Sequence, residues 1–266
     1  SCANLLFKIP HLKSTDDYVV TTIPYTPFQY VTAAGSEDIN LYDDDQFSDA
    51  INLPFTFCFY DSTYNKVVVG SNGVITFDLA NQACANAFDV SQSIPFSGGN
   101  ICDQLSKYYP KAAIMGVYTD LDPGPGPNNT AIASPSDRKI EWRVEGTAPC
   151  RKFVVSYFHV GTFGVNSCGL TTPNDFQIVI FESTGLIDIY VGNKTCQSTT
   201  NDSKAIMGVQ NWKKNKAVAA PGKNSTVWDA VNEGYRFTPN GATSRFKSCE
   251  LLTLGGSFVA NVDTAT

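Results

Sequence analysis

Histidine is nearly absent from this chain. Only His11 and His159 occur among 266 residues. A serine or cysteine nucleophile needs a positioned base, and that base is usually histidine. His159 follows directly on an apolar stretch, so it is expected as a sheet or loop residue. No G-x-S-x-G, H-E-x-x-H, P-loop or G-x-G-x-x-G pattern occurs. No C-x-x-C occurs either, so zinc has no ligand spacing to use. The expectation is a non-catalytic protein. A secreted hydrolase stays as a third reading, because 25 acidic residues offer many carboxylate pairs and no motif reports their separation. Clustered basic residues are also missing. Lys and Arg number 19 against those 25 acids, for a net charge of −6. Only Lys213, Lys214 and Lys216 group together, and they read as a solvated turn. A phosphate-binding face needs more than that, so nucleic acid is excluded as a partner. No apolar run approaches the ~18 residues of a membrane-spanning helix. No basic n-region followed by an apolar h-region opens the chain, so Ser1 is expected to be a processed or trimmed terminus.

What is present is cysteine, aromatic residues and period-two alternation. Eight cysteines without a metal spacing indicate disulfides and an oxidising, extracellular setting. Residues 53–60 (LPFTFCFY) put Leu53, Phe55, Phe57 and Phe59 on one face. KVVVG and GVITFD flank Ser71-Asn72, and Asn72-Gly73 suits the positive φ of a tight hairpin. AAIMGVY at 112–118 reads as a buried strand. It runs into a proline-rich loop at 123–127 that excludes helix and central strand. KIEWRVE at 139–145 alternates, with Ile140, Trp142 and Val144 inward and Glu141, Arg143 and Glu145 outward. Residues 151–160 follow, with Phe153, Val155 and Tyr157 on one side. A second hairpin pairs 176–182 with 186–191 about Ser183-Thr184-Gly185. Residues 205–211 and 234–238 add two short strands, with PGKNST at 221–226 as a turn-rich link. Residues 1–52 look loop-rich and 80–111 irregular, with Ala80–Phe88 as a possible short helix.

Counting outward from the second hairpin brings Cys168 and Cys196 to one open end, within bridging reach. Cys84 and Cys102 flank the irregular excursion and are expected to staple it. Cys58 and Cys150 are expected in further disulfides, together with Cys2 and Cys249, in a connectivity that spacing does not settle. Asp120 and Asp122 sit where a strand opens into a loop, and alternation aims both the same way. Two carboxylates plus loop carbonyls suit Ca²⁺; plain Asp-Pro-Gly turn chemistry is the other reading. Asp43, Asp44 and Asp45 read as a solvated loop, with a calcium-ligand cluster as the alternative. Trp142, Trp212 and Trp228 either belong to the core or floor a sugar site.

Several segments together resemble one family. They are TAPCRKFVVSYFHV, FQIVIFESTGLIDIYVGNKTC, AIMGVQN, the PGKNST stretch and YRFTPNG, preceded by LPFTFCFYDSTYNKVVVGSNGVITFD and GVYTDLDPG. Over roughly residues 45–241 this order resembles the N-terminal domain of large Bacteroidota surface proteins. Those proteins are exported by the type IX secretion system and commonly end in a type-B sorting (gliding-motility-associated) domain. The resemblance implies a secreted cell-surface adhesin rather than an enzyme, handled by the type IX secretion machinery. It implies that Ig-like modules follow in the same chain. It further implies O-glycosylation at Ser62 (Asp61-Ser62-Thr63) and Thr264 (Asp263-Thr264-Ala265).

The reading is an all-β, antiparallel, jelly-roll-like β-sandwich over residues 1–241, stapled by disulfides. Residues 242–266 are expected to start an Ig-like module. The expected role is a terminal adhesin or filament domain that binds substratum, a surface glycan or a protein partner. A lectin-like carbohydrate-binding module is the first alternative. The ligand-binding residues are not legible.

Overall fold

A computed structural model describes residues 17–60, 62–103, 107–164, 166–197, 200–240, 246–248 and 262–264. In chain order the strands begin with β1 (Asp17–Ile23), β2 (Ile51–Phe59), β3 (Ser62–Gly70), β4 (Val74–Thr76), β5 (Ala113–Tyr118), β6 (Leu121–Asp122) and β7 (Lys139–Glu145). They continue with β8 (Lys152–Thr162), the short helix α1 (Asn166–Thr171), β9 (Asn174–Phe181), β10 (Ile187–Lys194), β11 (Lys204–Gln210), β12 (Ala217–Val227) and β13 (Ala230–Asn240). One sheet runs β1-β13-β10-β9-β8-β6, with β7 also paired to β8. The other runs β12-β11-β5-β4-β3-β2. The pairings are antiparallel. The fold is an antiparallel β-sandwich.

The main core lies between the sheets. Period two sends Leu53, Phe55, Phe57 and Phe59 of β2 inward against Phe77. Opposite them stand Phe153, Val155 and Tyr157 of β8 and Phe176, Ile178 and Ile180 of β9. Tyr157 is fully buried and keeps a partner by donating to Gly70 O at 2.8 Å. Between β3 and β4 the chain reverses at Ser71-Asn72-Gly73. Gly73 has φ +84°, and a Cβ there would meet Val117 O at 2.1 Å, so both conformation and space require glycine.

Each sheet is also covered on its outer face, which is why some strands lack alternation. The described part of the excursion, residues 80–103 and 107–111, lies over β4 and β5, where Val90, Ile94 and Tyr109 pack on Val74, Ala113, Met115 and Tyr118. β5 is thus buried on both faces, and AIMGVY is apolar throughout. The excursion carries the Cys84–Cys102 disulfide. Its only helical piece near residue 80 is a single 3-10 turn, Leu79–Asn81, in place of the expected helix over Ala80–Phe88.

The first sheet is covered by residues 23–36. Gln177 on β9 accepts from Phe28 N and donates to Phe28 O, both at 3.0 Å. Ser36 pairs with Trp142 across the edge of β7. This covering segment corrects the alternation reading of KIEWRVE. Glu141 and Arg143 do leave the inter-sheet core, but they are buried beneath the segment, while Val144 is exposed.

Three other expectations change. β1, inside the region read as loop-rich, pairs with β13 along its whole length. PGKNST lies within β12 rather than forming a link; β12 is an edge strand with register shifts, where proline and glycine are tolerated. Lys214 is no solvated turn residue. It is buried and donates to Gly98 O and Tyr109 O at 3.2 Å each.

Cys168 on α1 and Cys196 after β10 form a disulfide. Cys150 is disulfide-bonded, but Cys58 is not its partner. Cys58 carries a thiol whose pKa burial pushes up. The reason is its place on β2. Arg151, next to Cys150, lies 5.7 Å from the ring of inward-facing Phe55, whereas Cys58 alternates onto the opposite face of β2. Beyond β13, the strands β14 (Phe246–Ser248) and β15 (Val262–Thr264) pair with each other in a separate two-stranded ladder. Among the described residues no helix is long and apolar enough to cross a membrane.

Candidate cation site

Two acidic segments far apart in sequence meet at one end of the sandwich. The first, Asp43-Asp44-Asp45, follows the 3-10 turn Ile39–Tyr42. The second, Asp120-Leu121-Asp122, leads into the proline loop. Asp43 ties the loops together, accepting from Asn128 N at 2.6 Å, Asn128 Nδ2 at 2.7 Å and Asn129 N at 3.1 Å. Asp45 lies at φ +55°, and its carbonyl accepts from Asn86 N at 2.8 Å. Carboxylate oxygens of Asp44, Asp45 and Asp120 fall within 4.8 Å of one another.

Asp122 stands beside this triad. Its Oδ1 accepts from Gly124 N and Asn129 Nδ2 at 2.9 Å each. Asp120 Oδ2 accepts from Thr200 Oγ1 at 2.6 Å. Asp44 Oδ1 is buried and has no hydrogen-bond partner among the described residues. Asn72, from the tight hairpin, is the hub. It donates to Asp45 Oδ1 at 2.7 Å and Asn86 O at 2.9 Å, and accepts from Leu121 N at 2.9 Å.

The electrostatics follow from this packing. Burial pushes the Asp44 carboxyl up to about 8, with Asp45, Asp122 and Asp120 adding to the effect. Burial likewise raises Asp45 to about 7, with the Asn72 hydrogen bond opposing it. Asp120 rises to about 6, with Thr200 opposing. Asp122 is raised by burial, with Gly124, Asn129 and Arg138 opposing. Like charges sharing a dry site cannot all ionise without a counter-charge. Such a site either keeps protons or takes a hard cation, and Ca²⁺ accepts six to eight oxygens, carboxylates foremost.

The expectation at Asp120 and Asp122 therefore meets a larger group. Asp120 belongs to the triad, and Asp122 stands beside it, its carboxylate held by Gly124 N and Asn129 Nδ2. The solvated-loop reading of Asp43–Asp45 does not hold, because Asp43 and Asp45 are buried. Sequence reasoning gave Asn72 a turn role only and did not single out Asn129 or Thr200, which are polar residues in ordinary turn contexts. Replacing Asn72 by alanine leaves Asn86 O and Leu121 N without their partner. Each buried polar group left unmet costs about 1–3 kcal/mol. A loss of roughly 3 kcal/mol is expected in denaturant unfolding of Asn72→Ala, against little change for a substitution of exposed Gln29.

The remaining candidates scatter. Ser62 is exposed at the start of β3, while Asp61 lies outside the described residues. Thr264 lies on β15, paired with Phe246, and its side chain lies outside what is described. Trp142 is half-buried against the core. Trp228 is buried, with Lys223 Nζ 4.2 Å and Lys194 Nζ 4.9 Å from its ring. Trp212 alone of the three is exposed, at 44%. His159 sits at φ +53° on a bulge of β8, and its Nδ1 meets Asp137 at 3.0 Å rather than a serine or cysteine.

No curated protein matches this chain, and no solved structure does. A family model described as "NIDO related" matches residues 17–247, the span that holds both sheets and the acidic cluster. The chain belongs to the NIDO-related family.

Proposed function

We propose that this domain is a non-catalytic adhesive module of a large secreted surface protein, held rigid by a Ca²⁺ ion in the Asp44, Asp45, Asp120 and Asp122 cluster. The observation that carries the reading is the NIDO-related match over residues 17–247. A NIDO-related domain suggests an extracellular, adhesive-type role. The Cys84–Cys102 and Cys168–Cys196 disulfides agree with an oxidising, secreted or surface location.

The finer part of the proposal rests on the resemblance of the ordered β segments to Bacteroidota surface proteins. In it the chain is exported by the type IX secretion machinery and presented at the cell surface. It serves attachment or gliding, and modules beyond residue 241 link it to the rest of the protein. Its partner is substratum, a surface glycan or another surface protein. Ca²⁺ would act on shape, because the cluster ties the loops at residues 41–47 and 119–130 to the hairpin at Asn72 and to Thr200.

The test is attachment. Beads carrying the 266-residue chain are passed over abiotic surfaces and over surfaces coated with polysaccharide or protein. Retention above beads carrying an unrelated β-sandwich, lost in chelator and restored by calcium, is the expected result. Equal retention of both bead types, or turnover of a polysaccharide or peptide pool by the chain, would sink the proposal.

A further inference from the structure

Lys111 links Trp212 to a second polar group that nothing above uses. Asp78 caps the 3-10 turn Leu79–Asn81, its Oδ1 accepting from Ala80 N at 3.2 Å. Asn81 is wholly buried, and its Nδ2 donates to Asp78 O at 2.9 Å. Tyr108 is buried next to them. Burial and the Asp78 charge push its hydroxyl up to about 12, with a hydrogen bond from the Asn81 side chain opposing.

Two acceptor atoms here lack a hydrogen-bond partner among the described residues: Asp78 Oδ2 and Asn81 Oδ1. Their residues are 4% and 0% exposed. Folded proteins seldom leave such atoms unmet, and the pair calls for hydrogen-bond donors from outside. Lys111 stands between Asp78 and Trp212. Its Nζ is 3.9 Å from Asp78 Oδ2, beyond hydrogen-bond reach, and 5.3 Å from the Trp212 ring centre. Its side chain is 42% exposed. Lys214 Nζ, 4.5 Å from the Tyr108 ring, is already spent on two backbone carbonyls.

We infer that Trp212, Lys111, Asp78, Asn81 and Tyr108 form a binding subsite for one hydroxyl-bearing sugar ring of a surface glycan. The exposed indole offers an apolar plane for the C–H face of a pyranose. Two adjacent sugar hydroxyls donate to Asp78 and Asn81 once Lys111 moves off Asp78. Tyr108 takes the second role of one of those hydroxyls, as donor to its oxygen. The Cys84–Cys102 disulfide holds the excursion that supplies Asn81 and Tyr108. The inference rests on the adhesive reading and names the chemistry of one partner.

The test uses the whole chain in calcium buffer. A glycan array is followed by titration with methyl glycosides of glucose, galactose, mannose and N-acetylglucosamine. The subsite binds at least one of these, and Trp212→Ala weakens it at least tenfold without a change in melting temperature, since the ring is exposed. Asp78→Asn lowers affinity as well, and Trp212→Phe keeps part of it. Absence of binding across the array and the glycosides, or binding that Trp212→Ala leaves intact, overturns the subsite. Bead attachment to abiotic or protein-coated surfaces would persist in that case, so the adhesive reading is judged separately.

Discussion

In chelator the domain melts lower at pH 8 than at pH 5, and millimolar Ca²⁺ removes the difference. The sign follows from the raised carboxyls. Asp44, Asp45 and Asp120 titrate near 8, 7 and 6 in the folded chain, against the ordinary carboxylate value near 4 when unfolded. Between those limits the folded state holds more protons than the unfolded state, so stability falls as pH rises. The stability is complete below about pH 4 and is lost progressively as pH passes through 6, 7 and 8. A cation in the cluster replaces those protons and flattens the slope. At 100-fold its dissociation constant a ligand contributes about 2.7 kcal/mol, or roughly 5–10 °C in a domain of this size. Thermal unfolding in four buffers, pH 5 and 8 with chelator or calcium, measures it. A melting temperature that rises with pH in chelator would contradict the assignment of protons to this cluster.

Arg143→Ala is expected to be the most damaging single change on the outer face of the first sheet. Glu141 is fully buried, and Arg143 Nη1 meets its Oε1 at 3.0 Å. Arg143 also reaches Glu145 at 2.6 Å and donates to Gln29 O in the covering segment. Without the guanidinium, Glu141 keeps Thr32 N at 3.2 Å and a distant Lys139 at 3.8 Å. Removing one partner of a buried ion pair costs about 3–5 kcal/mol, because the other charge stays buried. The drop in melting temperature should be on the order of 10 °C. Replacing both partners, as Glu141→Leu with Arg143→Met, should recover most of it. A cost under about 1 kcal/mol for Arg143→Ala would show that water reaches Glu141.

These two sites show what the sequence carries plainly and what it hides. Strands with one core face were legible. The alternation from Leu53 to Phe59 and the hairpins at Gly73 and Gly185 lie where their residues place them. The bridge between Cys168 and Cys196 follows from counting outward along β9 and β10, because strand register fixes distance. Burial by a remote segment was not legible. Glu141 and Arg143 alternate as solvated residues do, and only residues 23–36 folding across them changes their surroundings. The acidic site was half legible for the same reason. Asp120 and Asp122 announce themselves by alternation before a proline loop, but nothing local ties them to Asp44 and Asp45. That meeting is made by Asn72 and Asn128, whose amides reach across the chain. PGKNST misleads because proline and glycine signal a turn locally, while an edge strand tolerates both.

Calorimetric titration of Ca²⁺ into the chelator-stripped chain at pH 6.5, in two buffers of different ionisation enthalpy, tests the central claim most directly. The expected result is one ion per chain, with a heat that depends on the buffer because binding expels protons from Asp44 and Asp45, and no binding in Asp44→Asn/Asp45→Asn. Absence of calcium heat in the native chain, or binding that the double variant retains, would contradict the cation site.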